Sequence, residues 1–183
     1  MLLVVGATSG ELASLDADVA TLVCGVGPVE GAASTARSLA ERRPGALLHV
    51  GLAGGRGIPA GTLVVGSAAL YCDIGAAVPV VERVQPSSSL LAAARRALPQ
   101  ARVLPIATSA RVGGTRGASV EAMEGFAVLR AAELAGVPAL EVRAIANEID
   151  EPDRALWRFD EALAALAGAL PRLLAELGPL ARS

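Results

Sequence analysis

Continuous apolar runs rich in β-branched residues alternate along this chain with Ala/Leu-rich segments of helical period, and this alternation constrains the fold most strongly. Six predicted strands cover Leu2–Gly6, Val19–Gly25, Ala46–Leu52, Thr62–Leu70, Arg102–Ala107 and Ala139–Ala146. Four predicted helices cover Val29–Arg43, Ser88–Leu98, Met123–Ala135 and Asp160–Leu177. Because most strand runs are continuous rather than alternating, they are predicted to be buried on both faces. The pattern predicts an α/β fold in which helices cover the faces of a central sheet.

The length and hydropathy of the chain favour one compact unit outside the membrane. A chain of 183 residues with 53% hydrophobic residues suits a single domain over residues 1–183. No uninterrupted apolar run approaches the roughly 20 residues that a membrane span needs. The N-terminal MLLVV lacks a basic region and runs into a glycine turn, so we interpret it as a strand rather than a signal peptide. We therefore expect a cytoplasmic protein without a membrane partner.

Several common functional sites are disfavoured by the residues present. Cys24 and Cys72 are isolated, which indicates reduced, small core residues. The one histidine, His49, lies in the apolar run LLHVG and is predicted to be a hydrogen-bonded core residue, so neither a nucleophilic triad nor a metal site is expected. All 16 basic residues are arginine, and the net charge of -2 carries no basic patch for nucleic acid.

Two glycine-rich segments resemble nucleotide-binding loops only superficially. GATSGEL, residues 6–12, lacks the third glycine of a dinucleotide-binding turn and would place Glu11 against a pyrophosphate. GLAGGRG, residues 51–57, leads into another apolar strand, so no helix N-terminus is available for a phosphate. Neither segment predicts a nucleotide cofactor.

The residues that remain as candidates for a functional site are carboxylates, one amide and glycines. Glu11, Glu124 and Asn147 each stand near the end of a β-rich segment or the start of a helix, where open α/β sheets gather their ligand sites. Asn147 is the only asparagine in the chain. Its position directly after a buried strand weakens the alternative that it is an ordinary turn or capping residue.

The motifs resemble one known superfamily over nearly the whole chain. VVGATSGE, CGVGPVEGA, HVGLAGG, YCD, VEAMEGFAV and VPALEVRAIAN occur in the order seen in the purine nucleoside phosphorylase and nucleosidase superfamily. Within it, RAIANEIDEPDRALW is most similar to the futalosine hydrolase family, nucleosidases of the alternative menaquinone pathway. The resemblance implies a nucleoside phosphorylase-like fold with a mixed, twisted central sheet flanked by helices. It also implies a homo-oligomer (dimer or larger), no cofactor, and hydrolysis of the N-ribosidic bond of a purine nucleoside.

The same resemblance assigns the central site residues. Glu11 matches the glutamate that positions and deprotonates the attacking water. Without the resemblance, a solvated turn residue or a first-turn helix charge would be the better interpretation of Glu11. Met123 and Glu124 match a pair in which the thioether packs on the sugar and the carboxylate accepts hydrogen bonds from ribose hydroxyls. The structural alternative for Glu124 is an acid favoured by a helix N-terminus. Glu121 is set aside because the spacing to Gly125 selects Glu124.

Further substrate contacts follow from the resemblance. Gly54 and Gly55 match glycines that let the backbone approach the nucleophile, although plain turns use glycine as well. One further segment is expected to line the base and contains the candidates Ala110, Arg111 and Val112. Two aromatic residues, Trp157 and Phe159, are expected to cover the site, although packing of the last helix explains them equally well.

Three positions bear on the choice of nucleophile and base. Leu52 stands where many relatives carry Ser or Thr, and Glu11 stands where a phosphorylase would want arginine, so water is favoured over phosphate. Nucleosidases of adenine nucleosides place aspartate at the position of Asn147. An amide instead can donate to a carbonyl at purine position 6 and accept a proton from N7, which matches hypoxanthine.

The resemblance therefore implies a member of the futalosine hydrolase family that binds a small nucleoside and water. A methylthioadenosine or S-adenosylhomocysteine nucleosidase and a purine nucleoside phosphorylase are the enzymatic alternatives. The segments Gly75–Pro86 and GGTRGAS are short for the superfamily. A catalytically inactive nucleoside-binding subunit is accordingly the alternative outside enzymes.

Overall fold

The computed structural model describes residues 1–75, 79–115 and 117–182. Within these residues the strands are β1 (Leu2–Gly6), β2 (Thr21–Val23), β3 (Ala46–Gly55), β4 (Leu63–Tyr71), β5 (Arg83–Val84), β6 (Arg102–Thr108), β7 (Val120–Ala122) and β8 (Ala139–Glu148). The α-helices are α1 (Ser9–Leu12), α2 (Pro28–Arg42), α3 (Ser88–Ala97), α4 (Gly125–Leu134) and α5 (Phe159–Leu177), with 3-10 helices at Arg154–Leu156 and Pro179–Ala181. The short segments noted above contain residues 76–78 and 116, which lie outside the described residues.

The described strands form one mixed sheet that closes partly on itself. Strands β2, β1 and β3 are parallel neighbours, and β3 also pairs with β8 in parallel and with the short β7 in antiparallel orientation. Strand β4 pairs with β8, β6 and β5, while β6 pairs with β7. Strands β3, β8, β4, β6 and β7 thus complete a ring of hydrogen-bonded neighbours. This confirms the predicted mixed sheet flanked by helices.

Helices cover the sheet on two sides. Helices α3 and α5 pack on one side through apolar residues such as Leu90, Leu166 and Leu170, all nearly inaccessible to solvent. Helices α2 and α4 pack on the other through Leu39 and Leu129. Strands β3 and β8 lie between the layers and are buried over most of their lengths. Their burial on both faces is the outcome predicted from their continuous apolar runs.

Some element boundaries differ from the sequence-based expectation. Strand β2 is shorter than predicted, and β5, β7 and α1 were not predicted, because elements of two to four residues carry too little periodicity. Helix α4 begins at Gly125 instead of Met123, because the hydroxyl of Thr108 accepts the hydrogen bond of the Phe126 amide (2.8 Å) and caps the helix there. Helix α5 continues through Pro171.

The two cysteines differ in burial. The prediction that both cysteines are core residues holds for Cys24, which is buried, and is wrong for Cys72. Cys72 directly follows the last residue of β4 and is exposed, because the strand leaves the core at that point. None of the described helices is long and apolar enough to cross a membrane.

Candidate active site

One cleft, with a volume of about 370 Å³, collects most of the predicted site residues. It lies beyond the ends of β1, β3 and β8, which is where ligand sites form in α/β sheets. Eight of the eleven predicted residues line it: Glu11, Gly54, Val112, Met123, Glu124, Asn147, Trp157 and Phe159. Residues from distant parts of the chain thus converge on a single cavity.

The other three predicted residues lie away from the cleft wall. A side-chain carbon added at Gly55 would meet Ile58 (2.9 Å) and Ile145 (3.0 Å), so this glycine faces the apolar core. Ala110 is exposed, and its amide donates a hydrogen bond to the carboxylate of Asp73. Arg111 is exposed as well. The structure does not bring these residues into the described cavity.

Glu11 is held rigidly although it belongs to a helix of only four residues. Its Oε2 accepts a hydrogen bond from the amide of Thr8 (2.9 Å), the residue that precedes α1. Its Oε1 accepts from the amide of Leu52 on β3 (3.1 Å). The side chain is only 8% exposed, yet it borders the cleft. Two backbone amides therefore fix a carboxylate at the cavity wall, with its remaining lone pairs available to a ligand or water.

Glu124 is placed by the start of α4. Its Oε1 accepts a hydrogen bond from the amide of Gly27 (2.9 Å), which precedes α2. Gly27 has φ +95°, a conformation that glycine adopts without strain. Because the helix starts after Glu124, both Met123 and Glu124 lie before its first turn and border the cavity. The carboxylate is thereby presented to a ligand instead of to bulk solvent.

A buried arginine, Arg143 on β8, was missed by sequence reasoning. Its Nη2 lies 3.4 Å from Oε2 of Glu124, and its Nε donates to Oε1 of Glu141 at 2.7 Å. Its Nη2 also hydrogen-bonds Nε2 of His49. The pattern ALEVRAIAN contained the signal, because Glu141 and Arg143 are charged residues two apart on one face of an otherwise apolar strand.

His49 is neutral in this environment. Its Nδ1 lies 3.0 Å from the carbonyl oxygen of Val5 and therefore carries the proton, which leaves Nε2 to accept from Arg143. Complete burial, and then the neighbouring guanidinium, lower the pKa of His49 well below its ordinary value. The prediction of a hydrogen-bonded core histidine is confirmed.

Asn147 enters the cleft because of a β-bulge. The register between β3 and β8 shifts between Ala53 and Gly54, so that Ala146 is the extra residue on β8 and Asn147 pairs with Gly54. The bulge lets both Ala146 and Asn147 border the cavity. The side-chain Nδ2 of Asn147 donates one hydrogen bond to the carbonyl of Glu148 (2.8 Å). This leaves its second N–H and its amide oxygen for other partners.

Glu121 was set aside in the sequence, yet it also borders the cleft. Its Oε1 accepts from the amide of Gly113 (2.6 Å), and its Oε2 accepts from the amide of Thr115 (2.7 Å). Both oxygens are thus occupied by the loop that carries Val112. Through these bonds the carboxylate orders that side of the cleft.

Trp157 and Phe159 form the outer wall. Their ring centroids are 5.5 Å apart, and the guanidinium of Arg154 lies 5.3 Å from the centroid of Trp157. The indole nitrogen of Trp157 donates to the carbonyl of Glu151 (3.1 Å). The two rings close the cleft with an apolar surface suited to a base or another planar group.

The Cys24 thiol and the arrangement of possible metal ligands bear on thiol and metal sites. Burial, and then the nearby Glu124, raise the pKa of the Cys24 thiol to about 11, so it stays protonated near neutral pH. Among residues 1–75, 79–115 and 117–182 there is no group of three or more His, Cys, Asp or Glu side chains arranged to hold a metal ion. The side chains that line the cleft include carboxylates, an amide and aromatic rings.

Comparison with known proteins identifies the family. Residues 7–177 match the sequence profile of the phosphorylase superfamily. The chain is 39% identical over 181 residues to futalosine hydrolase of Streptomyces coelicolor, covering 83% of this chain and 77% of that protein. The chain belongs to the futalosine hydrolase family of the phosphorylase superfamily. As a member of this family it is an enzyme, an N-glycosyl hydrolase of the nucleosidase type.

Solved structures show that the fold is shared well beyond the futalosine hydrolase family. Futalosine hydrolase of Helicobacter pylori strain 26695 superposes with a TM-score of 0.85 at 17% identity, covering 96% of this chain and 97% of that one. The methylthioadenosine/S-adenosylhomocysteine nucleosidase of Streptococcus pneumoniae, solved with 8-aminoadenine, gives a TM-score of 0.84 at 21% identity, covering 96% and 99%. At such identities the likeness establishes the fold and leaves the substrate open.

Proposed function

We propose that this enzyme hydrolyses the N-ribosidic bond of futalosine and releases hypoxanthine, a step of menaquinone biosynthesis by the futalosine pathway. The observation that carries the proposal is the convergence of Glu11, Glu124 and Asn147 on one cleft. The 39% identity to the Streptomyces coelicolor futalosine hydrolase supports the same substrate.

Glu11 is the proposed general base. It accepts a proton from a water molecule while the water oxygen forms a bond to C1′ of the ribosyl group. The bond from C1′ to the purine nitrogen breaks, and its electron pair leaves with the base. Two backbone amides hold the Glu11 carboxylate at the wall, which supports this role because a base must be fixed within hydrogen-bond reach of the water.

Met123 and Glu124 are the proposed ribose contacts. The Oε2 of Glu124 lies 3.4 Å from Arg143, a long contact that leaves the carboxylate free to accept from ribose hydroxyls. The thioether of Met123 packs against the sugar. Trp157 and Phe159 cover the ligand, and Val112 contacts the base.

The proposed role of Asn147 is to recognise the base by hydrogen bonds. Its free N–H donates to the carbonyl oxygen at purine position 6, and its amide oxygen accepts the proton on N7 of the leaving hypoxanthine. An amide cannot supply a proton, so N7 is protonated through water. Gly54, opposite Asn147, supports this placement because a side chain there would crowd the amide.

The charges of the cleft favour water over phosphate as the nucleophile. The charged residues on its wall are Glu11, Glu121 and Glu124, and the wall formed by the described residues includes no Arg. A phosphate dianion beside three carboxylates would be repelled by their like charge. Arg143, the buried cation nearby, is already bound by Glu141 and contacts Glu124.

The decisive assay measures free base released from futalosine, inosine and methylthioadenosine, each with and without phosphate. We expect hypoxanthine from futalosine independently of phosphate. Release of adenine from methylthioadenosine alone would support the adenine nucleosidase alternative and contradict the role of Asn147. Strict dependence on phosphate would support a phosphorylase. Binding of a nucleoside without turnover would support an inactive subunit.

The homo-oligomeric state and the cytoplasmic location belong to the same proposal. Exposed Val29 and Leu134 border an apolar groove between α2 and α4, a surface suited to contact with a second copy. Light scattering coupled to size-exclusion chromatography measures the molar mass, and a monomer across micromolar concentrations would contradict the oligomer. Fractionation of cells that produce a tagged chain tests the location.

A further inference from the structure

Three buried ionisable side chains form a hydrogen-bonded cluster next to the cleft and have no role in the chemistry proposed above. Glu141 and Arg143 lie on β8 and His49 on β3, with relative exposures of 1%, 0% and 0%. Charged residues are almost never buried to this extent unless they are paired. Their arrangement therefore requires an explanation beyond filling the core.

The guanidinium of Arg143 makes short contacts on the side of Glu141 and His49 and longer contacts on the side of the cleft. Glu141 holds Nε at 2.7 Å, and His49 accepts from Nη2. The contacts toward the cleft are longer, because Nη1 lies 3.4 Å from the carbonyl oxygen of Leu52 and Nη2 lies 3.4 Å from Oε2 of Glu124. The strongest interaction of the arginine is thus with Glu141 and not with Glu124.

Two glycines leave the space that this cluster occupies. A side-chain carbon at Gly51 would overlap Nη1 of Arg143 and lie 2.6 Å from Oε1 of Glu11. A side-chain carbon at Gly125 would overlap the carboxylate of Glu141. The side chains of Arg143 and Glu11 therefore both lie against Gly51. The guanidinium is thus close to both carboxylates that are proposed to act on the substrate, Glu11 and Glu124.

Stability alone does not account for the cluster. Buried ion pairs add little to stability compared with apolar residues of similar volume. Moreover, Oε2 of Glu141 has no hydrogen-bond partner among the described residues, which is a cost to folding. A pair selected only to stabilise the core would satisfy both oxygens.

We propose that Glu141 and His49 are positioning residues, which hold Arg143 so that Glu124 keeps its lone pairs for ribose and Glu11 keeps its place beside the water. This rests on the proposed nucleosidase function of the cleft. Glu141 balances the charge of Arg143, and His49 fixes the direction of its Nη2. Without the Glu141 charge, the guanidinium moves toward Glu124 and occupies the oxygens that ribose hydroxyls would use.

Glu141→Gln tests the charge balance with almost no change in shape. We expect kcat/KM to fall about 10- to 100-fold in a variant that remains folded, mostly through a higher KM, because Arg143 then competes with the ribose hydroxyls for Glu124. The matched control is Glu133→Gln, at an exposed residue of α4 paired with Arg130, which should retain the wild-type value. His49→Gln should cause a smaller loss, because the amide can still donate to Val5 and accept from Arg143.

A double-mutant cycle separates positioning from a merely structural role. In a Glu124→Gln background, the further change Glu141→Gln should cost less than threefold, because its main route to the substrate, through Glu124, has already been removed. A crystal structure of Glu141→Gln should show the Arg143 to Glu124 contact shortened from 3.4 Å. Equal losses in both backgrounds, or full activity in the single variant, would overturn the proposal.

Assays on three nucleosides separate the proposal that futalosine is the substrate from the proposal that Glu141 and His49 position Arg143. Wild-type enzyme is first assayed on futalosine, inosine and methylthioadenosine, and the cycle is run on whichever nucleoside it hydrolyses fastest. Preference for a nucleoside other than futalosine would overturn the substrate assignment alone. Additive losses on the preferred nucleoside would overturn the positioning proposal alone, and hydrolysis of none of the three would overturn both.

Discussion

Asn147 and Gly54 face each other across the junction of β8 and β3, and a side-chain carbon at position 54 would lie 3.2 Å from Nδ2 of Asn147. The same carbon would lie 3.2 Å from Cγ1 of Ile149. The amide therefore occupies space that only a glycine leaves open. The placement of the amide therefore depends on Gly54, which nothing in the sequence distinguishes from the other glycines among the 20 in the chain.

Gly54→Ala should impair catalysis with little effect on folding. The added methyl group displaces the Asn147 amide by a few tenths of an ångström, and kcat/KM should fall about tenfold, equivalent to about 1.4 kcal/mol. Steady-state release of base from futalosine measures the effect. The control is Gly168→Ala within α5, where an added carbon meets no other atom within 4 Å and the helix should gain up to about 1 kcal/mol. Equal activity in both variants would contradict the close packing at Gly54.

Asn147→Asp should change the preferred base. A carboxylate cannot donate to the carbonyl at position 6, and its charge repels that oxygen, so kcat/KM for futalosine should fall about 100-fold or more. The 6-amino relative of futalosine should lose much less, or gain. Gln100→Glu, the same amide-to-acid change at an exposed position, should alter neither value. An unchanged ratio of the two kcat/KM values in Asn147→Asp would rule out a role of this residue in reading the base.

Glu11→Gln should separate binding from chemistry. The amide keeps the shape of the side chain but cannot take a proton from water, so kcat should fall about 10²- to 10⁴-fold. Calorimetric titration with futalosine should still show saturable binding. Glu176→Gln, at a surface residue paired with Arg96, provides the control. Full turnover by Glu11→Gln would require a different base.

The single histidine predicts how stability depends on pH. The pKa of His49 is lowered in the folded state by burial and by Arg143, so the unfolded chain binds the proton more readily. Its contribution to stability is therefore present above the unfolded pKa of 6.5 and is lost as pH falls below it. Between pH 7.5 and 5.5 this loss amounts to about 1.4 kcal/mol.

Urea denaturation at several pH values measures that loss, and His49→Gln isolates the histidine from other groups. Glu141, whose pKa is raised by burial against the opposing effect of Arg143, contributes with the opposite sign and is present in both proteins. The variant should lose about 1.4 kcal/mol less than wild type between the two pH values. Parallel pH profiles would show that His49 is not held neutral.

The parts of the site that the sequence predicted share a physical origin. Glu11, Glu124 and Asn147 lie at strand ends or helix starts, and the carboxyl ends of neighbouring strands meet at one edge of a sheet. Continuous apolar runs likewise predicted the buried strands. Local pattern and general topology indicated both, whereas the roles of the three site residues came from the family resemblance.

The parts that it did not predict depend on contacts between distant residues. Arg143 and His49 are 94 positions apart, and Gly27 and Glu124 are 97 apart. The role of Glu121 depends on how the loop at Gly113 folds back, and the bulge at Ala146 depends on pairing with β3. Ala110 and Arg111 follow β6, and the amide of Ala110 donates a hydrogen bond to the carboxylate of Asp73, a contact 37 positions away along the chain.

The most direct test of the proposed hydrolysis is a turnover of futalosine in phosphate-free buffer. We expect free hypoxanthine and an unphosphorylated ribosyl product in equal amounts, because water supplies the oxygen that bonds to C1′. Turnover that requires phosphate, a phosphorylated sugar product, or an absence of futalosine cleavage by folded enzyme would contradict it.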